Sequence, residues 1–402
     1  MRIAVIGGGA AGCFAAISAA HHHPDSEIVL LERSQKLLSK VKVSGGGRCN
    51  VTHACYNIKK LAGNYPRGEH FLRKGFNQFD TTDTVSWFEQ NGVPLKTEHD
   101  GRMFPTTDQS QTVIDALLSA MAAAKVRVQK GAHIIKINNQ DGKWLLITNS
   151  NMKIQANKVI IASGGSPKLE GLNWLVEMGE KVLSPVPSLF TFNLGQDSIT
   201  QLQGVSCEKV RVRIQGSKFE SMGACLITHW GFSGSAVLKL SAFAARYLAG
   251  CNYLFKVRLN WLGTMNESQV RLIFEEAIRS HGGKKMCNLN PFDIPNRLWK
   301  HLMKRAQISD EIRWKDMHLK SIQRWTEVLI NDVYDVNGKT TFKEEFVTCG
   351  GIDLQGVDPN TMKSKQNEGI YFAGEVLDID GVTGGFNFQA AWTTGWIAGK
   401  LI

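Results

Sequence analysis

A chain of 402 residues is longer than one hydrophobic core usually serves, so two or three domains are expected. Its 43% hydrophobic and 21% charged residues are those of a globular protein, and no apolar run reaches the ~18–20 residues of a membrane-spanning helix, which argues against a membrane partner. The formal net charge of +11 is concentrated: residues 33–74 hold ten Lys/Arg against the single acid Glu69, and residues 271–324 hold twelve against six acids. That distribution suits either solubility plus a few cofactor phosphates, or a polyanionic partner, nucleic acid above all.

Residues 2–6, "RIAVI", read as a short buried strand, followed at once by Gly7-x-Gly9-x-x-Gly12 and an Ala-rich helix. The N-terminus imitates a secretion signal, but glycines in a phosphate-loop pattern suit a folded strand better, and a cytoplasmic protein is expected. Gly7 makes a tight turn, Gly9 lets a pyrophosphate approach the backbone, and Gly12 lets the helix pack on the strand. Ala10 and Ala11 open that helix, whose free N–H groups attract phosphate. A second strand, 27–31, ends in Glu32, an acceptor for a ribose hydroxyl, followed by Arg33. An acid there disfavours a 2′-phosphate, so FAD or NAD fits better than NADP.

The rest of the chain decides between them. A second glycine loop, "SGGGRCN" at 44–50, follows the second strand closely, with Lys40 and Lys42 just before it. Residues 125–161 read as successive short strands with turns at Asp141-Gly142 and Ser150-Asn151, forming a three-stranded antiparallel meander that includes His133 and Ile134. An apolar strand then runs into Ala162-Ser163-Gly164-Gly165. Near the C-terminus a strand at 369–373 is closed by Gly374-Glu375, and Asp380 and Gly384-Gly385 precede a helix starting near Asn387 and carrying Gln389. A helix N-terminus there can stabilise the negative charge of a reduced flavin. This layout points to FAD. No second GxGxxG is present, so NAD(P)H would bind transiently or not at all.

Eight cysteines, at 13, 49, 55, 207, 225, 251, 287 and 349, form no Cys-x-x-Cys pair and read mostly as small apolar fillers of a reduced protein. His21-His22-His23 suits an exposed helix end better than a metal site, and no metal is expected.

The stretch 188–347 falls into two parts. Its first part, with "PSLFTFNL" and "VSCEKVRVRIQG", alternates like strands; its second contains three helical segments. Those helices carry Arg271, Arg279, Lys300, Lys304, Arg305 and Arg324, with Trp299 and Trp325, while Trp314 lies between them. They read either as an RNA-binding face with stacking tryptophans or as a lid with a tryptophan core and solvated charges.

"SGGGRCNVT", "GRMFP" at 101–105, "THWGFSG" at 228–234 and "GEVLDIDGVTGGFNFQAAWTTG" at 374–395 together resemble the aminoacetone-oxidase-like, or BaiN-like, flavoproteins across nearly the whole chain. The resemblance implies a Rossmann-like, glutathione-reductase-like α/β FAD-binding domain (1–187 and 348–402) with an inserted β-barrel-plus-helices domain (188–347). It implies that Ser44, Gly45, Gly46, Gly47, Arg48, Cys49 and Asn50 wrap the stretch from pyrophosphate to flavin, with Lys40, Lys42 and Arg48 offsetting phosphate charge and Asn50 bonding the ring. Roles suggested in the family are amine oxidation, reduction of a C=C bond in bile-acid-type steroids, and reduction of uridine to dihydrouridine in ribosomal RNA. This chain departs from the family pattern in Ser235, where proline is common, and in "SGGSPKLEG" at 163–171.

His229 is the candidate proton donor or acceptor, or else a structural histidine at a hinge; Cys49 is a second candidate donor, and a Cys49–Cys55 redox disulfide a remote one. Arg102 and Phe104 either line a substrate mouth or close a turn on the core. The expectation is an FAD-dependent oxidoreductase moving hydride through flavin N5, foremost a C=C reductase using NAD(P)H, with an amine oxidase or a non-catalytic FAD- and RNA-binding protein as alternatives.

Overall fold

The computed structural model describes residues 1–340 and 347–402. The described residues of Met1–Ser188 and Phe342–Ile402 make one compact unit, and those of Leu189–Thr341 make the other. The expected return from the insert, near 347–348, directly follows residues 341–346, which lie outside the described residues.

The first unit is built on five parallel strands: β1 (Arg2–Ile6), β2 (Glu27–Glu32), β3 (Arg127–Lys130), β4 (Lys158–Ile161) and β5 (Ile370–Phe372), in the order β5-β4-β1-β2-β3. The central strands are apolar because both faces are covered; Ile3, Val5, Leu30, Val159 and Ile160 are all buried. Helix α1 (Ala10–His22) connects β1 to β2, and helix α2 (Phe386–Lys400) ends the chain. Both are apolar and buried around most of their circumference. They meet through small residues: a Cβ on Gly395 would lie 2.6 Å from the Ala11 carbonyl, and one on Gly399 would lie 2.5 Å from Ser18 Cβ.

The expected meander exists as Ile134–Gln140, Lys143–Thr148 and Lys153–Ala156, antiparallel in that order. Asp141, Gly142 and Asn151, at its turns, take positive φ. The upstream stretch at 127–130 belongs instead to the parallel sheet, as β3. Helix Ser110–Ala123 precedes it, and the chain then pairs parallel to β2.

In the second unit seven strands form one antiparallel sheet, whose edge strands Asp332–Asn337 and Lys339–Thr340 are separated in sequence only by Gly338. The Gly338 N–H donates to Tyr253 O at 3.0 Å and its carbonyl accepts from Asn193 N at 3.1 Å, so the sheet closes into a barrel. Helices Glu267–His281, Asn296–Arg305 and Leu319–Ile330 pack their apolar faces into the same core. Trp299, Trp314 and Trp325 are fully buried in it. They fill the core and offer no face for stacking a base.

Candidate functional site

The first glycine loop contains two kinds of glycine. At Gly7 (φ +109) a Cβ would sit 2.2 Å from Ala162 O, and at Gly12 one would sit 1.8 Å from Gly7 O. These two are required by the close approach of β1, β4 and α1. Gly9 is different: its φ of −86° and ψ of −170° suit any residue, and beyond its own chain neighbours no protein atom lies within 4 Å of where its Cβ would be. Nothing in the fold asks for glycine there, whereas a ligand backed against the chain would. Gly9 caps α1 without a side-chain bond, leaving the first-turn N–H groups of Ala10 and Ala11 open to an anion.

Around this turn, Glu32 accepts from Gly8 N–H and from Ser34 N–H, each at 2.7 Å, so its carboxylate also ties β2 to the glycine turn. Arg33 is exposed. Ala162 bonds back to Ile6 O at 2.8 Å. Exposed Ser163 leads into Gly164 (φ +77), whose Cβ position is open, and into Gly165, where a Cβ would strike Thr348 Oγ1 at 2.3 Å and Glu375 Oε1 at 2.9 Å. Gly374 packs on Ala11 with no room for a Cβ. His133 is exposed, its carbonyl accepting from Asn149 N, while Ile134 is buried.

Residues 44–50 explain their own glycines. Gly45, Gly46 and Gly47 take φ of +57°, +68° and +86°, and Cys49 follows at +61°. A run of left-handed residues is open to glycine and costly for others. The Cβ positions of Gly46 and Gly47 are empty, as at Gly9. Ser44 bonds to Val41 O at 2.8 Å.

The basic residues here are mostly paired within the protein. Arg48 bonds Glu98 at 2.7 Å and lies 4.0 Å over the Phe104 ring. Lys40 pairs with Glu375 at 2.9 Å, joining two residues expected on the cofactor; Lys42 is exposed. Asp380 is buried against Arg67 and Ser188, which donates at 2.5 Å. Burial pushes its carboxyl up, opposed by the Arg67 guanidinium. Arg102 pairs with Glu98 and Asp100, and Phe104 is wholly buried. Of the two roles open to Phe104, the structure gives it the core one.

The two ends of the chain are joined at the N-terminus of α2. Gly385 caps it at φ +93°, and a Cβ there would lie 2.5 Å from Thr52 O. With its amide oriented to satisfy its neighbours, Asn50 donates to Thr52 O (2.9 Å) and Met103 O (3.2 Å) and accepts from Gly385 N–H (2.9 Å). Thr52 donates to Gln389 Oε1 at 2.6 Å, Trp392 Nε1 to Val51 O at 3.0 Å, and Tyr65 to Phe386 O at 2.7 Å. Asn387 exchanges two bonds with the Gly381 backbone. The structure thus brings Asn50 and Thr52 together with Gly385 and Gln389, which lie more than 330 residues later in the sequence.

Cys49 is fully buried, and burial pushes its thiol up to about 12, only partly offset by a hydrogen bond with Ser44. It stays protonated at neutral pH and is no thiolate nucleophile. Cys49 and Cys55 are free thiols. His229 belongs to the second unit, exposed in the turn between Glu220–Thr228 and Gly231–Ser233, edge-on to Trp230 at 4.0 Å.

Sequence reasoning missed His53. Its Nδ1 lies 3.0 Å from Gly384 O and its ring stacks on Phe386. Its only sequence signal was a place three residues after Asn50.

Gly9, Gly46, Gly47 and Gly164 leave their Cβ positions open, and the N-caps of α1 and α2 are glycines without a side-chain cap bond, so first-turn backbone N–H groups are available to an anionic ligand such as a dinucleotide. A family model described as HI0933-like protein Rossmann domain matches residues 1–401. A 3-dehydro-bile acid Δ(4,6)-reductase of Clostridium scindens is 28% identical over 99% of this chain and 98% of its own length. A ribosomal RNA dihydrouridine synthase of Escherichia coli is 28% identical over 98% of this chain and 95% of its own. Among solved structures, a 3-ketosteroid-Δ4-(5α)-dehydrogenase from Rhodococcus jostii is similar in fold, with a TM-score of 0.50 and 12% identity over 99% of this chain and 96% of that one.

Proposed function

This chain belongs to the HI0933-like proteins built on a Rossmann domain and is an FAD-dependent oxidoreductase; from that premise we propose that it reduces a ring C=C bond conjugated to a carbonyl, in a uracil base of RNA, with NAD(P)H as reductant. One observation carries the reaction type. Two relatives that match almost the full chain have names describing the same chemistry on different rings: a Δ(4,6)-reductase and a dihydrouridine synthase. The choice of RNA over a steroid rests on charge. Residues 189–340 hold 21 Lys/Arg against 13 Asp/Glu, and Arg297, Lys300 and Lys304 form one exposed basic stripe on helix Asn296–Arg305.

FAD, when bound, would supply two-electron hydride chemistry suited to an electron-poor double bond. The protein's part is to hold and orient. The N-termini of α1 and α2 would hold the anionic parts of FAD, Asn50 fixes the α2 cap, and the left-handed 45–47 turn would leave the cofactor room. A proton must also reach the carbon next to the carbonyl. Cys49 is a poor source of that proton, because burial makes its thiol hold it tightly.

The test is dihydrouridine formation in ribosomal RNA by the purified protein with NADPH, read by mass spectrometry of nucleosides. Product is expected from the wild type. Lys300→Glu with Lys304→Glu should weaken turnover of RNA roughly tenfold at low salt, with flavin reduction by NADPH as the control. No product from any RNA, with rapid flavin reduction, would remove RNA as the substrate.

A further inference from the structure

The glycine pair before α2 is held by a side chain that no motif assigns. His53 Nδ1 lies 3.0 Å from the Gly384 carbonyl. A carbonyl only accepts, so Nδ1 carries the hydrogen and donates. The ring stacks on Phe386, the first residue of α2, with centroids 4.6 Å apart and planes at 25°. Its other edge is covered by the turn at 98–102: a Cβ on Gly101 would lie 2.6 Å from His53 Nε2. One imidazole therefore touches the residues on both sides of the Gly385 cap. Asn50 holds the cap itself, and Tyr65 holds the Phe386 carbonyl.

Gly384 and Gly385 have φ of +120° and +93°, the region where glycine moves most freely. The α2 N-terminus can stabilise charge only if its N–H groups keep one direction. We propose that His53 is a positioning residue, fixing the first turn of α2 against the flavin and so setting how readily the flavin is reduced. This rests on the reading that the flavin end of FAD lies at the α2 N-terminus. His53 acts through Gly384 and Phe386 rather than on the reacting atoms.

The experiment compares three variants as flavin-loaded protein, measuring FAD content and the anaerobic reduction equilibrium against a reference dye. His53→Phe keeps the stacking and removes the donor. It should retain FAD and shift the equilibrium roughly threefold to tenfold toward oxidised flavin. His53→Asn, whose amide N–H reaches the same carbonyl, should return it to within about twofold of wild type. An unshifted His53→Phe, or an Asn variant as shifted as Phe, overturns the proposal while leaving the FAD site intact. Asn50→Ala is the third variant. If it too leaves the equilibrium unmoved, the flavin does not face α2, and both the proposal and the reading beneath it fall.

Discussion

Gly9→Val gives a protein that folds and melts within a few degrees of wild type, yet binds FAD roughly a hundredfold more weakly. The backbone of Gly9 suits valine, and its Cβ would meet no protein atom within 4 Å beyond its own chain neighbours. The cost to the fold is that of a poorer helix cap, about 1 kcal/mol, or roughly 2–4 °C in a unit of this size. A pyrophosphate seated on the turn would meet the new methyl groups directly. Overpacking of that kind costs about 3 kcal/mol, roughly a hundredfold in affinity. Thermal melting with and without added FAD separates the two effects. Gly12→Val is the contrast: its Cβ would lie 1.8 Å from Gly7 O, so the fold itself fails.

The second large effect is in the insert. Arg305→Ala should destabilise it by about 3–5 kcal/mol. Arg305 Nε donates to Asp332 at 2.6 Å, its guanidinium lies 4.2 Å over Tyr334, and Asp332 also accepts from Trp261 (3.0 Å) and Tyr334 (2.5 Å). Asp332 is 4% exposed, and burial pushes its carboxyl up against the pull of Arg305. Removing the arginine leaves a buried carboxylate without its counter-charge. Adding Asp332→Asn should recover much of the loss, because the charge that needed a partner is gone. Urea denaturation followed by tryptophan fluorescence measures both. A loss below about 1 kcal/mol would mean that the pair behaves as a surface contact. Arg305 is therefore structural, and charge reversal meant to probe RNA binding belongs at Lys300 and Lys304.

What could be read from the sequence was local in origin. The strand, glycine turn, helix and acid of residues 2–32 lie within one βαβ unit, where spacing alone limits the geometry. The meander was legible through its two turns, and the glycine pair at 384–385 through the helix that follows. What sequence does not carry is the partner of a side chain. Arg48 looks like a phosphate ligand until Glu98 is seen beside it, and Arg305 looks like a surface cation until Asp332 is seen beneath it. Phe104 looks like a pocket wall, but Arg48 covers it. His53 has no meaning without Gly384, 331 positions away. Each of these depends on a long-range contact, which periodicity and motif do not report.

The most direct measurement is anaerobic. Purified, FAD-loaded protein is mixed with NADPH, then NADH, and the visible flavin band is followed; uridine-containing ribosomal RNA is added once the band has bleached. A C=C reductase should bleach rapidly with one of the two nucleotides and recolour, without oxygen, when RNA is added. A flavin that ignores both nucleotides, bleaches with small amines and recolours only in air would contradict the account and make the protein an amine oxidase.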